Sequence, residues 1–546
     1  MQAGAALALL ALVWWLIGAS QLGPRPQRYI PLLKSLSLLV LWRWGWAFLH
    51  WTRAAIYRYW AYPRLARAAR AAVAARGPVP EVSVLVATYK ERPAITRRVI
   101  LSVVRELAGL EGLRRAPLLI AVTGSDEDDA AIKAAVDEAA ARLPADRLPE
   151  LRLLRGANGK RDALAKGLEA LAETAPDPEG AFVMMDGDTH LEPGVFARCL
   201  PLLRLEPAVS AVTTNEHVAA EGPVWLSEWL HLRHGLRHLY TCSIALSGKL
   251  LCLTGRFSLF SARALRPDFI EIVRNDAVEH WLWGRYTLLS GDDKSTWFNL
   301  LSRGARLLYV PDATVVTHET LGGSSVVRAY HNLRRWGGNM VRNSERAIAL
   351  GPRFLGLFCW WCLVDQRLSM WTTLVGPTSL LLALSAGRTD LAAAYALWVI
   401  GTRTVRMIPS WLHGRRLSLL YPPLAAVMDW TGALVKIWVL FFPARQFWLN
   451  RGARELDSTR GRARLRDRKL IAGSTLLVSL LLYVLGVGTM IGAIRLRPIW
   501  ALALSQPLAP ASWPPAVGAT VSALVLVMTC VWIVRRISPS VEEASR

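Results

Sequence analysis

Cysteine chemistry is the first thing this sequence withholds. Its six cysteines, at 199, 242, 252, 359, 362 and 530, form no ladder of zinc or disulfide spacing. The CxxC at Cys359-Trp-Trp-Cys362 sits in an apolar stretch with no second pair and no nearby histidine, so it reads as packing. Ten histidines give no HExxH or comparable ligand set. Acid is scarce as well: 41 Asp and Glu face 65 Lys and Arg, a net charge of +24. The surplus arginine flanks apolar runs instead of forming one patch, which argues against nucleic acid as a partner. Membrane topology and an anionic substrate or product explain it better. No internal repeat is present, so repeat architectures are set aside.

What is abundant is apolar sequence, 53% of the chain, concentrated at the two ends around a mixed, charged middle. That is the pattern of a soluble domain inserted between membrane segments. Residues 3–19 carry no charge and are long enough to be a retained span. A second stretch at about 30–51 contains Lys34 and Arg43, which must snorkel or face a protein partner. Six arginines between Arg53 and Arg76 then place the middle of the chain in the cytoplasm. Further spans are expected near 368–387, 391–410, 470–494 and 516–534. The stretch 417–443, basic on both flanks, is either interfacial or re-entrant, or a tight pair of spans. Arg403 and Arg406 within one span either snorkel or line a polar passage for an anionic chain. The expected division is 1–76, about two membrane helices; 77–320, a cytoplasmic α/β domain; 321–366, a gating-type loop and interfacial helices; and 367–546, a channel region of about four spans.

In the middle region, strands at 82–89, 118–122 and 151–154 and a fourth running up to Asp186 alternate with helices near 93–108 and 160–173. This predicts a parallel, Rossmann-like sheet. Ligands bind beyond the carboxyl ends of such strands, and Thr88-Tyr89-Lys90-Glu91, the acids at 126–129 and Asp186-Gly187-Asp188 all fall there. Strand alternation turns Asp186 and Asp188 to one side, and Gly187 lets the backbone approach a ligand. Two such carboxylates repel unless a hard divalent cation, Mg²⁺ or Mn²⁺, joins them to a diphosphate. Alone, the tripeptide reads first as an acidic turn, where Asp and Gly are common. Leu253 to Phe260 reads as another strand. Asp292 and Asp293 open a helix and either cap it or point into the cleft. Leu307–Val310 and Ala313–Val316 read as two strands, and the residues around His331–Asn339 as a helix at the membrane face.

The ordered set Thr88-Tyr89-Lys90-Glu91, Asp186-Gly187-Asp188, Thr254-Gly255-Arg256, Gly291-Asp292-Asp293 and Arg335-Trp336, bracketed by membrane helices, resembles the processive family 2 glycosyltransferases. Within that group the wording LTGRFSLF (253–260), SGDDKSTW (290–297) and RRWGGNMVRN (334–343) is most similar to the catalytic subunits of bacterial alginate (mannuronan) synthases. The resemblance implies a GT-A fold embedded between transmembrane helices and inverting transfer from a sugar nucleotide, GDP-mannuronate, to a growing polysaccharide extruded through the bacterial inner membrane. It implies Asp293, with Asp292, as the catalytic pair, Asp293 being the general base. Asp186 and Asp188 would hold Mg²⁺ or Mn²⁺. Thr88, Tyr89, Glu91, Asp126, Lys160, Asp186 and Arg335 would bind the donor nucleotide, and Arg161 is a further phosphate candidate. Gly255, Arg256 and Trp336 would meet the acceptor. Asn332 stands where the family's QxxRW has Gln, and the second strand lacks the usual paired aspartates, leaving Asp126 for the nucleoside. The stretch after Lys469 is too short for a cyclic-di-GMP-binding barrel, so such control is expected from a partner subunit. Rival readings are a hyaluronan- or cellulose-like synthase using a UDP-sugar, a transferase loading a lipid carrier, and a non-catalytic transporter or scaffold.

Overall fold

The computed structural model describes residues 30–156, 159–320, 324–385, 387–412, 418–446, 456–457 and 462–490. The spans expected at 3–19 and 516–534 lie outside these residues.

Helix α1 (Ile30–Ile56) runs through a π-helical turn, Tyr57–Ala61, into α2 (Tyr62–Arg76). The α/β region then follows as β1 (Val82–Ala87), α3 (Pro93–Ala108), β2 (Leu118–Thr123), α4 (Asp126–Ala140), β3 (Glu150–Arg155), α5 (Lys160–Glu173), β4 (Ala181–Asp186) and β5 (Thr189–Leu191). The runs VSVLVA, LLIAVT and AFVMMD are almost wholly buried. Continuous apolar strands of this kind belong inside a parallel sheet covered on both faces.

The second half departs from the parallel expectation. After a short helix α6 (Val195–Cys199) come β6 (Val209–Glu221), the long helix α7 (Val224–Ala245) and β7 (Ser258–Ser261). Next are α8 (Pro267–Arg274), the hairpin β8 (Ala277–His280) and β9 (Gly284–Thr287), α9 (Asp292–Ser302) and β10 (Arg306–Thr320). The eight-stranded sheet has the order β3-β2-β1-β4-β7-β6-β10-β5. Strand β7 is antiparallel to both β4 and β6, and β5 is antiparallel to β10. Of the expected 253–260 region only Ser258–Phe260 pairs as strand. The two strands expected around Pro311 are one 15-residue strand, because the register shift between Val310 and Thr314 absorbs the proline.

Helix α10 (Ser325–Ala349) leaves the α/β region and, after a short turn α11 (Gly351–Leu355), leads to α12 (Leu357–Thr372), α13 (Val375–Ser385), α14 (Thr389–Leu412), α15 (Tyr421–Phe441) and α16 (Arg462–Met490). Among the described residues, Leu357–Ser385, Tyr421–Phe441 and Arg466–Gly488 are long and apolar enough to cross a membrane. The 417–443 stretch thus holds one uninterrupted helix. Arg43 does not snorkel: its guanidinium lies 2.8 Å from Asp365 of α12. Arg403 and Arg406 both sit 3.1 Å from Asp429 of α15. Cys359 and Cys362 are buried, unbridged and packed in the main core.

Candidate active site

Lys160 is the hub. At the start of α5, its ammonium lies 2.6 Å from Asp186 Oδ1 and 3.0 Å from Asp292 Oδ2. Gly255 closes the group: a Cβ there would sit 3.3 Å from Lys160 Nζ, 3.5 Å from Asp186 Oδ2 and 3.7 Å from Asp292 Oδ2. These four residues, with Thr254 and Asp293, line one cavity floored by Met184, Met185 and Phe260. Burial opposes charge on Lys160, but Asp186 and Asp292 outweigh it and hold its pKa above the usual lysine range. Asp292 is the mirror case: burial would raise it, yet Lys160 and then Arg161 keep it below the usual carboxylate range.

Asp293 differs from its neighbour. Its Oδ1 accepts the Lys294 backbone N–H at 2.8 Å, and among the described residues it has no ion pair within salt-bridge distance. Burial and then the Asp292 charge push its pKa up. Neither aspartate caps α9. The cap residue is Gly291 at φ +88°, and a Cβ there would fall 2.9 Å from Asn339 Cγ. Asn339 Oδ1 accepts from Ser290 Oγ at 3.0 Å and from Arg342 at 3.2 Å, joining the loop that carries Asp293 to α10.

Strand β4 ends at Asp186, and Gly187-Asp188 forms a turn rather than a continued strand. Gly187 makes room for the protein, not for a ligand: a Cβ would lie 2.2 Å from Thr88 Oγ1 and 2.9 Å from Ala87 O. Burial, then Asp186, raise Asp188 to about 7 against the pull of Arg256, with Glu91 and Glu319 adding further negative charge. Glu91 is raised for like reasons, burial first and then Asp186 and Asp128. Hard carboxylate oxygens in so negative a setting fit a Mg²⁺- or Mn²⁺-type cation. No group of three His, Cys, Asp or Glu side chains gathers as a metal cage among the described residues. Asp186 and Asp188 would therefore hold such an ion together with diphosphate oxygens and water.

The remaining sequence candidates are placed unevenly. Thr88 is buried against Gly187, and the Tyr89 ring covers Gly124. Asp126 is on the outside, fully exposed and 2.5 Å from Arg155, because the acids at 126–129 form the first turn of α4 behind its Ser125 cap. Asp128 is the inward acid of that turn, accepting from Lys90 N–H at 3.1 Å. Nothing in the sequence separates it from Asp126 except helical phase. Arg161 is spent on protein, donating to the Ile272 and Val273 carbonyls at 3.2 and 3.0 Å and to Ser295 Oγ at 2.8 Å. Arg335 is exposed on α10, and neither it nor Trp336 lines the Lys160 cavity.

Beyond Asp188 lies a charged cluster that sequence reading missed apart from Arg256. Glu216 of β6 is approached by Arg237 at 2.9 Å, Arg256 at 3.3 Å and His234 Nδ1 at 3.5 Å. Arg256 also reaches Glu319 of β10 at 3.6 Å. The arginines hold Glu216 well below the carboxylate range despite its burial, and burial drives His234 down to about 3, leaving it neutral. Arg233, one helical turn from Arg237 on α7, lies with its guanidinium 3.4 Å over the Trp336 ring, and Trp229 packs against the same indole at 5.9 Å. One face of Trp336 is therefore already taken.

Residues 80–339 match the family described as glycosyltransferase like family 2. Glycosyltransferase alg8 of Pseudomonas syringae pv. tomato is 37% identical over 411 residues, covering 75% of this chain and 82% of that protein. Glycosyltransferase alg8 of Azotobacter vinelandii is 34% identical over 429 residues, covering 78% and 86%. The chain belongs to the family 2 glycosyltransferases. It is an enzyme of the class whose GT-A domain is embedded between apolar helices, and it stands in the same part of that family as the two alg8 proteins. Among solved structures, the mannosyltransferase PcManGT from Pyrobaculum calidifontis, in complex with GDP-Man and Mn²⁺, superposes with a TM-score of 0.41 at 16% identity, covering 72% of this chain and 98% of that one.

Proposed function

We propose that the chain is a processive, inverting β-glycosyltransferase of the bacterial inner membrane that polymerises GDP-mannuronate into mannuronan and passes the product outward. The observation that carries the chemistry is the cavity in which Asp293, without an ion-pair partner among the described residues, stands beside the Lys160–Asp186–Asp292 group. The acceptor hydroxyl oxygen attacks the anomeric carbon as the bond to the diphosphate breaks, and Asp293 takes the hydroxyl proton. A raised carboxylate pKa suits that base, since it strengthens the proton acceptor. One displacement inverts the anomeric centre, so no enzyme nucleophile is needed. Lys160 supplies a cationic hydrogen-bond donor for the departing GDP. A divalent ion held by Asp186 and Asp188 would neutralise diphosphate charge. Asp292 acts by fixing Lys160, and Thr88, Tyr89, Glu91 and Asp128 frame the nucleotide side. Gly255, with no Cβ to crowd Lys160, Asp186 and Asp292, leaves space for the acceptor beside that group.

Membranes containing the full chain are to be incubated with GDP-mannuronate and, separately, with UDP-glucose and UDP-sugars of hyaluronan type. Polymer formed only from GDP-mannuronate and digested by alginate lyase is expected. Lyase-resistant polymer from a UDP-sugar would replace this reading with a cellulose- or hyaluronan-like one.

A further inference from the structure

Arg233 is a cation the transfer chemistry leaves unused. Its Nη1 is sealed from solvent and donates no hydrogen bond, and among the described residues no carboxylate lies within salt-bridge distance of it. The charges around it do not balance. Arg237 and Arg256 are close enough to repel it, while Glu216 is committed to those two arginines and Glu319 to Arg256. Lys436 of α15 adds a further cation within electrostatic range. It reaches this place because residue 337, beside Trp336, is glycine: a Cβ there would sit 3.1 Å from Lys436 Cγ. A guanidinium with one nitrogen sealed from solvent and unsatisfied, and with surplus positive charge around it, is costly unless an anion completes it. Its fork matches a carboxylate bidentately, and its position over Trp336 puts that anion next to a flat ring suited to a sugar.

We propose that Arg233 is a specificity residue that binds the carboxylate of a uronate unit in the acceptor chain, with Lys436 as the next cation along the same path. This rests on the acidic-polymer reading above and assigns the acceptor subsite within it. Arg256 feels the charges of Asp188 and Asp186 on one side and acts on Arg233 on the other, so Arg233 lies beyond the proposed diphosphate side and is assigned to the acceptor, not the donor nucleotide.

The test uses membranes with the full chain, GDP-mannuronate as donor, and two acceptors: a short mannuronate oligomer and its methyl ester, which has the same shape without the charge. The wild type is expected to extend the charged oligomer with about tenfold or greater preference in kcat/KM, the scale of one charge-assisted bidentate contact. In Arg233→Gln that preference falls to near unity. In Arg233→Lys, which keeps the charge without the fork, it is intermediate. Equal use of the two acceptors by the wild type, an unchanged preference in Arg233→Gln, or equal losses on both acceptors in both variants overturns the assignment and leaves Arg233 a packing residue. A wild type that refuses GDP-mannuronate and polymerises a neutral sugar sinks the functional reading itself, so the two failures are distinguishable.

Discussion

Two adjacent aspartates at the start of one helix have been given opposite electrostatic fates. Asp292 is pinned to Lys160, while Asp293 faces the cavity without an ion pair. Asp293→Asn should therefore cost about 10²–10⁴-fold in sugar incorporation, the usual worth of a positioned base, with the amount of membrane-inserted protein unchanged on immunoblot. Because burial and Asp292 raise the Asp293 pKa, the base stays protonated to a higher pH than a free carboxylate, and the acid limb of the pH–rate profile should lie above the ordinary aspartate range. Asp292→Asn removes the repelling charge, so that limb should move to lower pH even as the overall rate falls with the loss of the Lys160 anchor. A limb that stays in place would mean another group sets it. At this scale the sequence is most readable where two acids adjoin or flank one glycine, as at 292–293 and 186–188. It is least readable at Asp126 and Asp128, since a helix N-terminus selects acids for the same electrostatic reason a ligand would. Glu216, Asn339 and Arg233 carry no local signature, because their partners are distant in the chain.

Among the elements, the β4–β5 turn is tightly constrained. Gly187→Ala would drive a methyl group into Thr88 Oγ1 and the Ala87 carbonyl, and the needed backbone shift should cost about 1–3 kcal/mol. It should also displace Asp186 relative to Lys160, so activity should fall by more than the stability loss explains, measurable as reduced kcat in membranes at matched protein levels. On β6, Glu216→Ala leaves Arg237 and Arg256 buried together without their shared carboxylate; breaking a buried pair of this kind costs about 3–5 kcal/mol. A much earlier thermal unfolding in detergent is expected. Apolar runs bounded by turns made β1, β2 and β4 legible. Strand β6 and helix α7 were not, because VSAVTTNEHVAAE mixes polar residues into a strand whose buried side carries charge, and α7 buries histidines and a glutamate among its apolar residues. The parallel expectation failed at β7, whose four residues are too few to show direction in sequence.

For the molecule as a whole, the acidic pair at 186 and 188 predicts a metal requirement. Chelation with EDTA should abolish transfer, added Mn²⁺ or Mg²⁺ should restore it, and Asp188→Ala should not be restorable by either. Retained transfer after exhaustive chelation would remove the cation from the account. The apolar ends of the chain announced membrane helices, but composition could not say that the loop bearing Asp293 is fastened to an apolar helix. Trp283 Nε1 donates to the Phe441 carbonyl at 3.0 Å, and Gln446 bonds Thr287 O at 2.6 Å and Leu289 N at 3.0 Å. Arg342, which also holds Asn339, donates to Pro443 O at 2.8 Å. The end of α15, a helix long and apolar enough to cross a membrane, is thus a fixed point from which the Gly291–Asp293 corner hangs. If α15 spans the bilayer as proposed, bilayer thickness becomes a variable of the reaction: lipids with longer or shorter tails should reset the height of that fixed point, and with it the reach of Asp293.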